Sequence, residues 1–142
     1  MEDEMNNIAI VGADNDKIKD FAHLIANKVG YEFIDMNECF ENYLLINYNL
    51  PIDLVNEVLE LKETQLVKKM AKKNNVLLFI SDDMFLSNQN YLILKDCLKI
   101  LIYDKNKKEI DHAIQETIKK YCDLSMEQEK IDINEIIKKI SI

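Results

Sequence analysis

The sequence predicts an α/β protein, a three-layer α/β/α arrangement around a mostly parallel and five-stranded sheet. Three observations lead there. Short, largely apolar runs at residues 8–11 (IAIV), 76–80 (VLLFI) and 99–103 (KILIY) have the length and continuity of strands covered on both faces. Longer segments between them place apolar residues at helical spacing. The two kinds of segment alternate, which puts helices on both sides of a parallel sheet.

Residues 7–12 form the first strand of this reading. Asp14 or Asp16 can cap the helix that follows, in which Ile18, Phe21, Ala22, Ile25 and Val29 share a face until Gly30 stops it. Residues 31–36 hold a second short strand, with Phe33 and Ile34 ending at Asp35. Phe40, Tyr43, Leu44 and Asn47 mark a helix over 38–47. Asn49 can cap another that starts at Leu50 and Pro51, where proline is harmless. Val55, Leu59, Leu66 and Met70 carry it to Lys73, with a break expected near 61–63. Asn74 and Asn75 turn the chain into the third strand, 76–80. Residues 87–90 interrupt the pattern before a short helix around 91–97. The fourth strand is 99–103. A helix over 107–121 follows, with Ile110, Ile114 and Ile118 on one face, then a fifth strand at the edge, 122–126, and a closing helix, 134–140.

Composition narrows the partners. The 142 residues contain no repeat, linker or low-complexity tract, so one domain over 1–142 is expected. An apolar fraction of 48% with a single proline and two glycines fits a folded chain. No apolar run is long enough to span a bilayer, and the acidic start lacks the basic and apolar regions of a signal peptide. A cytoplasmic location is the expectation. The net charge of −8 disfavours nucleic acid and anionic membranes as partners. Every one of the 18 basic residues is lysine, so no side chain offers the two-pronged grip of a guanidinium.

The loop after the first strand is the most informative segment. Strand, tight loop, helix and strand in this order are where nucleotide kinases hold ATP, through G-x-x-x-x-G-K-S/T. Counted from Gly12, the second glycine position is Lys17, the lysine position is Ile18 and the hydroxyl position is Lys19. Ile18 supplies neither charge nor hydrogen bond, and Lys19 repels magnesium. Asp14, Asp16 and Asp20 add negative charge where phosphate would sit, although carboxylates suit a helix N-terminus by themselves. Gly12, Asp14, Asn15, Asp16, Lys17, Ile18 and Lys19 thus read as a degenerate phosphate loop. Binding of an anion by Lys17 and Lys19 out of register is the rescue left open.

Framework and spacing resemble the shikimate kinase family, a branch of the nucleoside-monophosphate-kinase-like P-loop fold. Residues 29–38 (VGYEFIDMNE) resemble the family's L-G-x-x-F-x-D-x-D segment, with Asn37 in place of the second aspartate. The strands at 76–80 and 99–103 and the closing segment 132–140 continue the likeness across nearly the whole chain. The resemblance implies ATP- and magnesium-dependent phosphorylation of shikimate, in aromatic amino acid biosynthesis. The departures fall on the positions that do this. The family's glycine triad lines up with Ser81, Asp82 and Asp83, and its substrate-carboxylate arginine falls near Val67, with Lys68 adjacent. The lid that brings arginines over ATP is reduced or absent, because Asp104 leads almost directly into the 107–121 helix.

Asp35, Asn37, Ser81, Asp82 and Asp83 are the candidate residual ligand site, an acidic crevice at the strand ends where open α/β sheets bind ligands. A divalent cation suits such oxygens, although water-filled acidity is the preferred reading. His23 and His112 lie singly in helices, so no zinc site is expected. Cys39, Cys97 and Cys122 are read as reduced thiols. Ser81 has no nucleophile setting. Phe40, Tyr43 and Tyr48 are an aromatic group, read first as packing and otherwise as a partner surface. The expectation is therefore a catalytically inactive shikimate-kinase-like protein without cofactor, acting as a protein-interaction or weak small-ligand-binding module. A protein partner or a homodimer fits it. The alternative is shikimate kinase or another ATP-dependent small-molecule phosphotransferase.

Overall fold

Successive side chains of a strand point to opposite faces, so a strand apolar at every position needs a layer on each side. A computed structural model of the chain, which describes residues 6–13, 15–47, 56–106 and 109–140, supplies both layers. Strands β1 (Ile8–Gly12), β2 (Glu32–Asp35), β3 (Val76–Ser81), β4 (Leu98–Tyr103) and β5 (Leu124–Glu127) form one sheet in the order β2-β3-β1-β4-β5. All four pairings are parallel, with β1 set between β3 and β4.

Helices α1 (Asp16–Val29) and α7 (Ile133–Ile140) cover one face. There Ile8 and Ile10 of β1 meet Ile18, Ala22 and Ile25 of α1 and Ile136 of α7. The opposite face carries α2 (Met36–Asn47), α3 (Asn56–Ala71), α4 (Asp82–Leu86), α5 (Asn90–Ile93) and α6 (Glu109–Lys119). Its core joins Ala9 and Val11 to Met36, Val67, Phe85, Leu94 and Ile118. Among the described residues no helix is long and apolar enough to cross a membrane.

Most element boundaries move by one to three residues from the sequence reading, and several moves have a visible cause. Helix α2 begins at Met36, not residue 38, because Asp35 Oδ1 accepts from the amides of Asn37 (3.1 Å) and Glu38 (3.2 Å). The expected break at 61–63 is absent, and α3 runs unbroken through it. Residues 48–55, with Asn49, Leu50, Pro51 and Val55, lie outside the described residues, as do 107 and 108. Among the described side chains of α6 the buried ones are Gln115, whose Nε2 donates to the Asp104 carbonyl at 3.3 Å, and Ile118, whereas Ile114 is exposed and the side chain of Ile110 lies outside the described residues. The periodicity reading missed α4, whose five residues are too few to show a period.

Two asparagines tie the layers together. Asn7 Nδ2 donates to the carbonyls of Ala71 (3.2 Å) and Lys73 (2.6 Å), and its Oδ1 accepts from the Val76 amide (3.1 Å). The end of α3 is thereby fixed to the start of β1 and β3. Asn90 is fully buried, and its Nδ2 donates to the Met84 carbonyl (2.7 Å) and Glu63 Oε1 (3.3 Å), while Thr64 Oγ1 donates to its Oδ1 (3.0 Å). It bridges α3 to the α4–α5 corner that follows β3. Asn90→Ala leaves buried partners unsatisfied and should lower the unfolding free energy by about 2–3 kcal/mol, seen as a lower urea midpoint with an unchanged slope.

Candidate functional site

The first four amides of a helix lack intrahelical partners, and aligned peptide dipoles make that end positive. In a phosphate loop the ligand answers both needs. Here the chain answers them itself. Asn15, not Asp14 or Asp16, is the N-cap of α1, and its Oδ1 accepts from the Ile18 amide at 2.9 Å. Asp16 occupies the first turn and is exposed; Asp14 lies outside the described residues. Asn15 Nδ2 in turn donates to Gln128 Oε1 at 3.4 Å, which ties the cap to the segment after β5.

Ile18 stands where the phosphate-binding lysine would be and is 1% exposed. It belongs to the core formed by β1, β4 and α1. A Cβ on Gly12 would meet the Ile102 carbonyl oxygen at 3.0 Å and Ile18 Cγ2 at 3.3 Å, so the glycine permits close packing of the loop on β4. Around Ala13, Ile18, Asp82, Asp104 and Gln128 a cavity of about 10 Å³ remains. That holds one water molecule at most.

The two lysines of the loop are engaged by carboxylates. Lys17 Nζ lies 2.9 Å from Glu129 Oε2, and this ammonium holds the Glu129 carboxyl below its ordinary range. Lys19 Nζ lies 3.0 Å from Asp35 Oδ2 and 3.5 Å from Glu38 Oε2. Hydrogen bonding to Asp35 holds the Lys19 ammonium above its ordinary value, followed by the Coulombic attraction of the same group. An incoming anion would compete with these partners.

Asp35 has both oxygens in use, one capping α2 and one on Lys19. Asn37 follows it into α2, and its Nδ2 is buried with no hydrogen-bond partner in the structure. Ser81 is the N-cap of α4, its Oγ accepting from the Met84 amide at 3.3 Å, and Asp82 and Asp83 form that helix's first turn. Asp35 lines a cavity of about 520 Å³ beside β2, with Lys19, His23, Phe33 and Glu38, whereas Asp82 lines the small one at the loop. Among the described residues no group of three His, Cys, Asp or Glu is placed to hold a metal ion. Val67, near the position of the acceptor arginine, is in the core, and Lys68 lines a cavity at the opposite end of the sheet.

The remaining candidates have structural surroundings. His23 stacks on Phe33 with centroids 4.5 Å apart, and Phe40 packs against the core, while Tyr48 lies outside the described residues. Cys39, Cys97 and Cys122 are free thiols. Burial pushes Cys97 up to about 11 and Cys122 up to about 12. Sequence reasoning missed Gln128 and Glu129, which sit in a turn over 128–130 after β5 and clamp the loop. Their signal was a strand end followed by polar residues, which carries no information about a contact more than a hundred residues away.

No protein-family model and no curated protein matches the chain. Solved structures do. Shikimate kinase from Bacteroides thetaiotaomicron superposes with a TM-score of 0.64 at 11% identity, covering 94% of this chain and 95% of that one. Shikimate kinase from Aquifex aeolicus gives 0.62 at 16%, with 94% and 93% covered. The enzyme from Acinetobacter baumannii in complex with shikimate gives 0.61 at 15%, with 96% and 90% covered. The chain therefore has the three-layer, five-stranded fold of the shikimate kinases and their P-loop relatives.

Proposed function

We propose that this protein is a catalytically silent form of the shikimate-kinase-like fold, which works by contact with a protein partner or by weak binding of a small ligand. The observation that carries this reading is how the chain itself uses the loop after β1: Asn15 caps α1 and Ile18, at the position of the phosphate-binding lysine, is in the core. Phosphoryl transfer depends almost wholly on positioned cations and amides around the transferred group. Here the loop lysines face the chain's own carboxylates, and the chain has no arginine.

The likeness to a shikimate-bound kinase supports a second reading, a phosphotransferase that opens its loop when nucleotide arrives. Opening would have to break the Asn15 cap, at about 1 kcal/mol, and withdraw Ile18 from the core, at about 2 kcal/mol or more. Residue-resolved NMR separates the two. With millimolar Mg-ATP and shikimate, the silent reading expects no ADP release and no shift of the amides at residues 12, 13 and 15–19. Turnover that depends on shikimate, together with shifts at those amides, would overturn it.

A second test uses the loop itself. Ile18→Lys puts an ammonium into an apolar core and should lower stability on the order of 3 kcal/mol without creating nucleotide binding. A variant of wild-type stability that gains Mg-ATP-dependent shifts at 12–19 would mean that the loop still has the shape of a phosphate cradle.

A further inference from the structure

Three lysines with no ion-pair partner among the described residues gather at the end of the sheet where the strands begin. The residues leading into β1, β3 and β4 meet the last turn of α3 and the segment after α5 around a cavity of about 440 Å³. Lys68, Lys72, Lys73 and Lys95 line it, from two separate stretches of chain, and Asp96 is the carboxylate among the described lining residues. Lys73 pairs with Glu32 at 3.4 Å. Among the described residues Lys68, Lys72 and Lys95 have no ion-pair partner.

The ordinary explanation for lysines here is the negative end of α3, whose last turn includes Lys68. It accounts for part of the charge only. The end of α3 already has donors, since Asn7 Nδ2 bonds the Ala71 and Lys73 carbonyls and the Lys73 amide bonds Met70 O at 3.2 Å. Lys95 belongs to a different segment altogether. With four lysines and one carboxylate among its described lining residues, this concavity stands against the chain's net charge of −8. Leu92, 53% exposed, and Ile93 add an apolar wall.

From this we infer that the cavity is a binding site for a small phosphate monoester with an apolar body. Lysine ammonium groups are compact, mobile point charges. They bind phosphate as point charges, and a phosphate monoester, with about two negative charges at neutral pH, gains more from several ammonium groups than a carboxylate with one. The volume is that of a small-ligand pocket, and Leu92 and Ile93 offer apolar surface to the rest of the molecule. This inference does not rest on the silent-kinase reading, because the cavity and the phosphate loop occupy opposite ends of the strands.

Phenyl phosphate is the probe, with inorganic phosphate and benzoate beside it. In titrations followed by amide NMR, phenyl phosphate should saturate and shift residues 68–74 and 92–97, leaving 12–19 in place. Inorganic phosphate should bind the same amides more weakly, and benzoate weakest. Lys72→Glu combined with Lys95→Glu should weaken phenyl phosphate at least about tenfold, since attraction becomes repulsion at two positions. Lys72→Gln with Lys95→Gln, which adds no repulsion, should give a smaller loss in the same direction. Leu92→Ser should weaken phenyl phosphate and leave inorganic phosphate unchanged. These lysines and Leu92 are exposed, so the variants should keep the wild-type melting temperature. The inference is overturned by the absence of saturable shifts at 10 mM (about the weakest affinity worth calling a site), by equal binding of benzoate, or by shifts that map elsewhere. Binding of a hexaglutamate peptide at these amides without any phenyl phosphate binding would likewise overturn it, in favour of an acidic protein segment.

Discussion

The structure turns on how the N-terminus of α1 is satisfied. That helix start lies at the end of the central strand, with unpaired amides and a positive dipole end beside the core. The P-loop solution leaves these groups for a ligand and keeps a hollow for it. In this chain the Asn15 side chain accepts from the Ile18 amide, and the Ile18 side chain lies in the core. The first strand, the first helix and β4 then pack as a continuous core, and Gly12 is the residue small enough to let them approach. This packing contributes to the stability of the fold.

Neighbouring segments follow from that choice. With no phosphate to neutralise, Lys17 and Lys19 at the start of α1 would be bare cations near a positive helix end. Glu129 and Asp35 answer them from the segment after β5 and from the end of β2. The first of these pairs is exposed at both partners and contributes little to stability, so its effect is to hold the 128–130 turn in place. The second has a nearly buried carboxylate, and its shared use as the α2 cap couples α1 to α2. Two pairs and one cap thus connect the start of α1, the end of β2 and the 128–130 turn.

Legibility in the sequence was uneven for physical reasons. The strands read at 7–12, 76–80 and 99–103 were plain because a doubly covered strand is apolar at nearly every position, a local signal. The loop's chemical poverty was equally plain, since it depends only on which residue types stand in consecutive positions. What could not be read was the partner of each loop side chain. Asn15 outcompeted two neighbouring aspartates for the cap, and nothing in the three residue types decides between them. Lys19 with Asp35, and Asn15 with Gln128, are products of the fold's register. Asp35, Asp82 and Asp83 share the strand-end side of the sheet, where Asp35 caps α2 and Asp82 and Asp83 form the first turn of α4.

Charge placement joins these observations. A kinase of this fold concentrates cations at the C-terminal ends of its strands, where phosphate is transferred. This chain has lysine alone for that purpose, and at that end its loop lysines are matched to acids. At the other end Lys68, Lys72 and Lys95 are unmatched. Lys68 makes the contrast concrete: it follows Val67, near the acceptor-arginine position implied by the family resemblance, yet lines the cavity at the strand starts because Val67 takes the inward-facing position on α3. One residue along a helix is a rotation of about 100°. That rotation separates a side chain in the core from one that lines the cavity at the strand starts, so neighbouring residues of one helix serve the packing and the charged surface.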